Sequence, residues 1–572
     1  MILTLILFLN HSGLSQGLII STGTSIFGTG GNLVLWGNVV NDGYFSNDTN
    51  TVIFAGTVQS LGGTSPVLFN NLTVAAGSTT SMITAGQTLK GILVSNNTLN
   101  ANGNITLLST ATNTALIDGS GTGQVYGNVT MQRYLPSGFG YKYFSSPFQA
   151  ATVSEFGDDM DLLATFPTFY SYDENRGSSG WVTYTAPAGV LDPLHGYAVN
   201  FGPGVAPVTV DVTGVVNSGN LLRTVYNHDS LYTKGFNLVG NPYPSPIDWD
   251  AASGWTKTDI DDALYYFKAG GADHYSGTYS TYIEGISSDG LATNIIPSMQ
   301  AFFIHITDGV WPVTGTLGIN NTVRITDYTQ QFIKSGSATS RPILRISANY
   351  TDNPGTSDPM VIYFDEKGSN EFDGRNDALK LMNTDRLVPN FYSITPDGYN
   401  LSINALPLWE DSLLVIPVGL RTERDGNLLF RIMYEDNLSS ETKIYLSDNL
   451  TGSDNIINMF KGYNIYLNAG EYNNRFSLVL VKGTSYIHDN RSYKDLFSIY
   501  SSKGGIVANI ILLPGNTGTM TICNISGQLV FIKDFYEIGY HEFNLELKTG
   551  IYLVNFLSGN VRDTKKLFIL GR

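Results

Sequence analysis

Leu33-Val34-Leu35-Trp36-Gly37, Val52-Ile53-Phe54-Ala55-Gly56 and Leu72-Thr73-Val74 open a series of short apolar runs in the first quarter of the chain. The series continues through Leu89 with Ile92-Leu93-Val94, Ile105-Thr106-Leu107-Leu108 and Val125-Tyr126-Gly127. Counted from Leu33, Val52, Leu72, Leu89, Ile105 and Val125, the intervals are 19, 20, 17, 16 and 20 residues. Short strands at a near-constant interval, parted by Asn and Gly turns, predict a β-solenoid whose coils stack on one another and share a core. Charge agrees with this: residues 17–135 hold only Asp42, Asp48, Lys90, Asp118 and Arg133. Stacking sets like residues one rung apart, so a charged position would face its own kind. An ordinary Ser/Thr-rich sandwich, with strands every ~8–12 residues, is the competing arrangement.

Outward from that segment the texture changes twice. From Tyr141 the strands become aromatic: Tyr141–Phe144, Phe169–Tyr172, Trp181–Tyr184, Tyr197–Phe201, Phe236–Val239, Leu264–Phe267 and Ala301–Ile306. Among them Asn241-Pro242-Tyr243-Pro244-Ser245-Pro246 excludes helix and central strand alike, because proline has no amide proton to give. Residues 341–482 then carry 13 basic and 19 acidic residues. Their apolar runs at Leu344–Ile346, Met360–Phe364, Leu401–Ile403, Leu413–Ile416, Leu428–Met433, Lys443–Leu446 and Phe476–Val481 predict a second sandwich, with Asp377–Met382 as its one helical turn. The expected division is 1–16 signal peptide, 17–135 solenoid-like segment, 136–340 aromatic-rich β-sandwich, 341–482 second β-sandwich, 483–493 linker and 494–572 a C-terminal sandwich. The fold class expected is therefore all-β and multi-domain, in keeping with 572 residues at roughly 150 per domain.

Composition bounds the function. The net charge of −16 disfavours nucleic acid or an anionic membrane held by a basic field. The single cysteine, Cys523, permits no internal disulfide and no cysteine-based zinc site. Ile2–Leu9 is an apolar run too short to span a bilayer, which takes about 20 residues. Followed by Ser12, Ser15 and Gln16, it reads as an export signal cut near Gln16, although no Lys or Arg precedes it.

The last 80 residues alternate with period two. Phe543, Leu545 and Leu547 share one strand face while Glu542, Asn544, Glu546 and Lys548 share the other. The order Ile522-Cys523-Asn524-Ile525-Ser526-Gly527-Gln528-Leu529-Val530, then Phe543-Asn544-Leu545, then Thr549-Gly550-Ile551-Tyr552-Leu553-Val554, then Lys565-Lys566-Leu567 resembles the type A C-terminal sorting domain of the type IX (Por) secretion system of Bacteroidetes. Where members of that family open with Pro-Asn-Pro, this chain has Ile499-Tyr500-Ser501-Ser502-Lys503. The resemblance implies an immunoglobulin-like β-sandwich read at the outer membrane by the secretion machinery. It also implies a sortase that removes the domain and releases the cargo or attaches it to surface lipopolysaccharide. The motif residues carried over are Gly527, Leu529, Val530, Gly550, Ile551, Tyr552, Lys565 and Lys566. Gly235-Phe236-Asn237-Leu238-Val239-Gly240-Asn241-Pro242 and Ile296-Pro297-Ser298-Met299-Gln300-Ala301-Phe302-Phe303 are similar to segments of large surface proteins bearing the same signal.

Catalytic motifs are missing from the sequence. The one serine with glycine at both −2 and +2 is Ser15 in Gly13-Leu14-Ser15-Gln16-Gly17, which falls in the expected export signal and not on a strand-to-helix turn. His541-Glu542 starts a zincin-like pattern that fails at Leu545, and Gly28-Thr29-Gly30 and Gly119–Gly123 lack the third phosphate-loop glycine. His11, His195, His228, His274, His305, His488 and His541 form no ligand-like pair, and His305 reads as a strand residue. Three acidic clusters have oxygen ligands at short spacing that suit Ca²⁺: Asp158, Asp159 and Asp161; Asp259, Asp261 and Asp262; and Asp365, Glu366, Glu371, Asp373 and Asp377. None follows the EF-hand order, so solvated loops are the favoured reading. Trp181, Trp249 and Trp255 have faces that suit sugar rings, but core packing is the favoured reading. The sequence expectation is a secreted surface protein of structural or adhesive role, with no enzyme activity, no cofactor and a glycan, host or biofilm ligand. The alternative is a carbohydrate-binding or carbohydrate-active protein; the five charges in residues 17–135 weigh against a solenoid lyase, which needs cationic and acidic groups, whereas a glycan-binding module differs from the adhesive reading only in ligand.

Overall fold

The computed structural model describes residues 17–327, 341–482 and 497–569, apart from positions 29, 48, 503, 504, 511, 513–516, 537, 538, 544, 546 and 560. The expected signal peptide (1–16), the linker (483–493) and Asn544 lie outside the described residues. The fold is all-β: strands and two 3₁₀ turns, Val153–Phe156 and Asn321–Val323, with no α-helix among the described residues and none long and apolar enough to cross a membrane.

The N-terminal segment is a β-solenoid of three parallel sheets. Each coil gives one short strand to each sheet, three to five residues long before the last coil, and buried residues alternate with outward ones. Val52 lies against Leu72 and Leu72 against Leu93; Phe69 lies against Leu89 and Leu89 against Leu107. All six are at most 1% exposed. The turns explain the Asn, Gln and Ser content. Gln59 donates to the carbonyls of Leu35 (3.2 Å) and Gly37 (3.1 Å) one coil below. The side-chain oxygen of Gln87 accepts from Val67 N (2.8 Å), and Asn104 Nδ2 donates to Met82 O (2.8 Å). These amides satisfy backbone groups at corners where no strand can pair, which a buried chain requires.

The sequence-derived series slips between sheets. Leu33, Val52 and Leu72 occupy one sheet, Leu89 and Ile105 a second, and Val125 the third. The true continuation of the first run is Leu93 and then Ile117. With three strands in each coil, a step taken to the wrong strand still lands near the coil length.

Two compact units follow by contact, residues 1–260 with 294–334, and 261–293 with 335–572. They differ from the expected boundaries. In the first unit the parallel sheet does not stop at 135: Asn128–Leu135 pairs antiparallel with Val208–Val216, which also pairs with Phe148–Gln149. The solenoid core is continuous with Phe144, Phe156, Phe169 and Tyr197, so the aromatic segment caps the last coil. The same unit holds the antiparallel sheet of Trp255–Thr258, Val313–Ile319 and Leu221–Asn227, and the pair Phe236–Gly240 with Ala301–His305. Residues 261–293 leave it, although nothing in their aromatic composition marks the departure.

In the second unit, Leu264–Ala269, Gly277–Ile283 and Ile286–Ser287 form successive antiparallel pairs. A twelve-stranded sheet from Ile343–Tyr350 to Phe476–Val481 encloses a core around Tyr350, Phe391, Phe430 and Leu478. The expected helical turn at Asp377–Met382 is extended: Ala378–Leu379 pairs antiparallel with Asn400–Leu406. The Asp377 carboxylate accepts from the Ala405 and Asp373 amides (2.7 Å each), and that holds the chain against the strand. The C-terminal module has its own two-sheet core of Phe497, Ile506, Met520, Ile522, Phe535, Tyr552, Val554, Phe556 and Leu567.

Candidate recognition surface

In the C-terminal module Leu529–Phe535, Gly518–Asn524, Gly550–Ser558 and Val561–Ile569 form one antiparallel sheet, in that order. Tyr552, Val554 and Phe556 point into the core, and the alternation sends Ile551, Leu553 and Leu557 outward. Register brings the sequence-distant motif residues together. Leu529 pairs with Cys523, Cys523 with Leu553, and Leu553 with Lys566, a row across all four strands; Ile551 pairs with Phe568 beside it. Leu529, Ile532, Ile551, Leu553, Leu557 and Phe568 are all more than one-third exposed. Apolar side chains turned toward water at this density make the face a candidate interaction surface.

The turn beside that row is built on Asn524, whose side-chain oxygen accepts from Ser526 N (3.1 Å), Ser526 Oγ (2.8 Å) and Gln528 N (2.9 Å). Gly527 sits at φ +82° with nothing within 4 Å of a Cβ, so the backbone, not crowding, demands glycine. Gly550 is different. An added Cβ would meet Lys548 O and Tyr552 Cε2 at an ordinary 3.8 Å, so a side chain would not obstruct the turn there. Tyr552 is 7% exposed and its hydroxyl donates to Lys548 O at 2.9 Å. Val530 is partly exposed beside the turn, Lys565 Nζ lies 5.8 Å from the Phe497 ring centre, and Lys566 is exposed. The strand expected over 542–548 ends at Phe543, yet Phe543, Leu545 and Leu547 all pack on the core. The motif residues carried over leave out Phe568, Ile532 and Asn524; period-two alternation within their own strands signals the first two, and the Asn-x-x-Gly turn signals the third.

The other candidates separate. Trp249 is 2% exposed, its ring 4.8 Å from Trp255 and under Lys257 Nζ at 3.5 Å. Trp181 opens a strand and packs against Tyr172 (5.0 Å), Tyr143 (5.5 Å) and Phe303 (6.0 Å). These three indoles share no platform. His305 is buried against Phe236, and His541 lies on a strand against Phe535. Asp159 accepts from Asp211 N (3.3 Å); burial, with Asp158 and Asp211 near, pushes its carboxyl up to about 7. Asp161 accepts from Leu163 N (2.9 Å). Asp259 adopts φ +54°, and Asp261 is buried. Asp365 pairs with Arg341 at 2.7 Å, Asp373 accepts from Arg375 N, and burial pushes Asp377 up to about 7. Most of these carboxylates hold loops, and among the described residues no group of three or more His, Cys, Asp or Glu is arranged to hold a metal.

Residues 41–480 match a family described as Domain of unknown function (DUF8693). Among solved structures the chain is similar to one titled Biofilm associated protein - BSP domain, at 10% identity and a TM-score of 0.16, over 78% of this chain and 64% of that one. The chain thus spans less than two thirds of that structure's length. No curated protein matches.

Proposed function

We propose that this chain, which belongs to the family described as Domain of unknown function (DUF8693), is a secreted cell-surface protein of structural or adhesive role whose C-terminal module is a type IX export and sorting signal. The observation that carries the reading is the outward apolar row Leu529, Leu553, Ile551 and Phe568 beside the Asn524–Gly527 turn. Motif segments separated by some twenty residues meet there on one sheet. The module begins after the family match ends at 480 and has its own core, as a transferable signal needs. The solenoid supplies a sparsely charged scaffold suited to presentation rather than catalysis.

The test is a fusion of residues 490–572 behind a signal peptide to a passive reporter in a host with the type IX machinery. The reporter is expected in the medium or on the surface. Retention in the periplasm of a competent host would overturn the export reading. Leu553→Asp and Phe568→Asp, which change the outward face and leave the core intact, should block export; export at the parental level would place recognition elsewhere.

A further inference from the structure

One loop end of the first unit has the makings of a binding site. The ladder of Leu221–Asn227 with Val313–Ile319 ends at the pair Asn227 and Val313, so 228–229 and 311–312 leave the sheet at the same end. Asn227 Nδ2 donates to Ile306 O (2.9 Å) and to Asp308 Oδ1 (3.0 Å), which ties the loop 307–312 to the loop 228–235. Thr233 Oγ1 donates to Glu174 O (2.6 Å), which adds the loop 173–180. At the tips Val310 is 94% exposed, Leu231 70%, Tyr232 64% and Trp311 38%. Within the same loops His228 Nδ1 lies 2.6 Å from Glu174 Oε2, and Glu174 Oε1 accepts the His228 amide at 3.1 Å. The Glu174 side chain is 4% exposed and the His228 ring 25%. A buried carboxylate that accepts from Nδ1 fixes the imidazole and leaves Nε2 as the atom a ligand would meet.

We propose that these loops form a binding site for a neutral polysaccharide, with Tyr232 and Trp311 stacking on sugar rings and His228 Nε2 hydrogen-bonding a hydroxyl. Sugars present apolar C–H faces and a rim of hydroxyls, and this end presents aromatic rings beside a polar group whose rotamer is already held. Charge selects the class: over the three loops Asp173, Glu174, Asp229 and Asp308 against Arg176 and Lys234 leave two net negative charges, set on a chain of −16, which repels polyuronates and anionic lipid. The proposal rests on the adhesive reading above, but its test does not need export.

Purified full-length protein is run in native gels containing hydroxyethylcellulose, laminarin or galactomannan. Retardation by at least one is expected, with Trp311→Ala and Tyr232→Ala each weakening it about tenfold and His228→Ala likewise. Trp36→Ala, on the solenoid, should run as the parent. Unchanged far-UV circular dichroism and melting of Tyr232→Ala keep the result separate from misfolding. Migration unaffected by all three polymers, or retardation that survives both aromatic substitutions, overturns the proposal. So does cosedimentation with phosphatidylcholine vesicles that Leu231→Asp and Val310→Asp abolish, if no polymer retards the protein. Surface fractionation of the native protein reports on export independently, so either reading can fail alone.

Discussion

Gly527 has a left-handed backbone and open space above it, whereas Gly550 has neither strain nor crowding. Gly527→Val should therefore cost about 1–2 kcal/mol through the backbone. Gly550→Ala should stay within about 0.5 kcal/mol of neutral. Hydrogen exchange in Gly518–Asn524 and Leu529–Phe535 reads the difference: faster exchange for the first variant, none for the second. Asp377 gives a pH signature. Its folded-state pKa of about 7, raised by burial, lies above the unfolded value of ~3.9, so the native state holds the proton more tightly. The stabilisation is full below the unfolded value and is lost as pH rises through about 7. Melting of the second unit should fall by a few degrees between pH 5 and pH 8, and Asp377→Asn should flatten that fall. An equal fall in the variant would assign the titration to another group. Burial of this aspartate was not legible in the sequence, where Asp365–Asp377 reads as a solvated acidic loop.

Among the strands, the solenoid rungs depend on corner amides. Gln59 serves Leu35 O, Gly37 O and Gly56 N at once; Leu35 O also accepts from Ala55 N (2.8 Å), so Gln59→Leu strands the Gly37 carbonyl and the Gly56 amide and should cost about 2–3 kcal/mol. Exchange protection should drop first in Thr51–Phe54 and Val58–Gly62, and protection at the parental level would show that water replaces the amide. Strand existence and the coil length were legible here because inward aliphatics alternate with small polar residues. Assignment of each strand to its sheet was not, because three similar strands per coil differ by only a few residues of spacing. Nor was the cap: Asn128–Leu135 pairs with Val208–Val216 across some eighty residues, and no local pattern encodes a partner at that distance.

For the protein as a whole, the mature surface form should end between 481 and 493, since a protease needs an extended segment to draw into its cleft. Mass spectrometry of surface-exposed protein should lack peptides from 550–572, and their recovery would mean that the module is retained. The mature protein is expected to have no hydrolase or lyase activity. The solenoid has almost no titratable groups, and most of the acidic clusters elsewhere hydrogen-bond to backbone amides rather than to one another's partners. Turnover of a polysaccharide that survives purification and vanishes in Asp159→Asn would overturn that expectation.

The sequence alone determined the strand content, the uncharged stacked segment and the alternating C-terminal module, because periodicity and charge act through neighbours a few residues apart. The tertiary structure decided which apolar residues face water, which tryptophans are buried, and how residues 261–293 join the second unit. It also decided that Tyr232, Trp311 and His228 share one loop end, since register and hydrogen bonds between distant segments set those proximities.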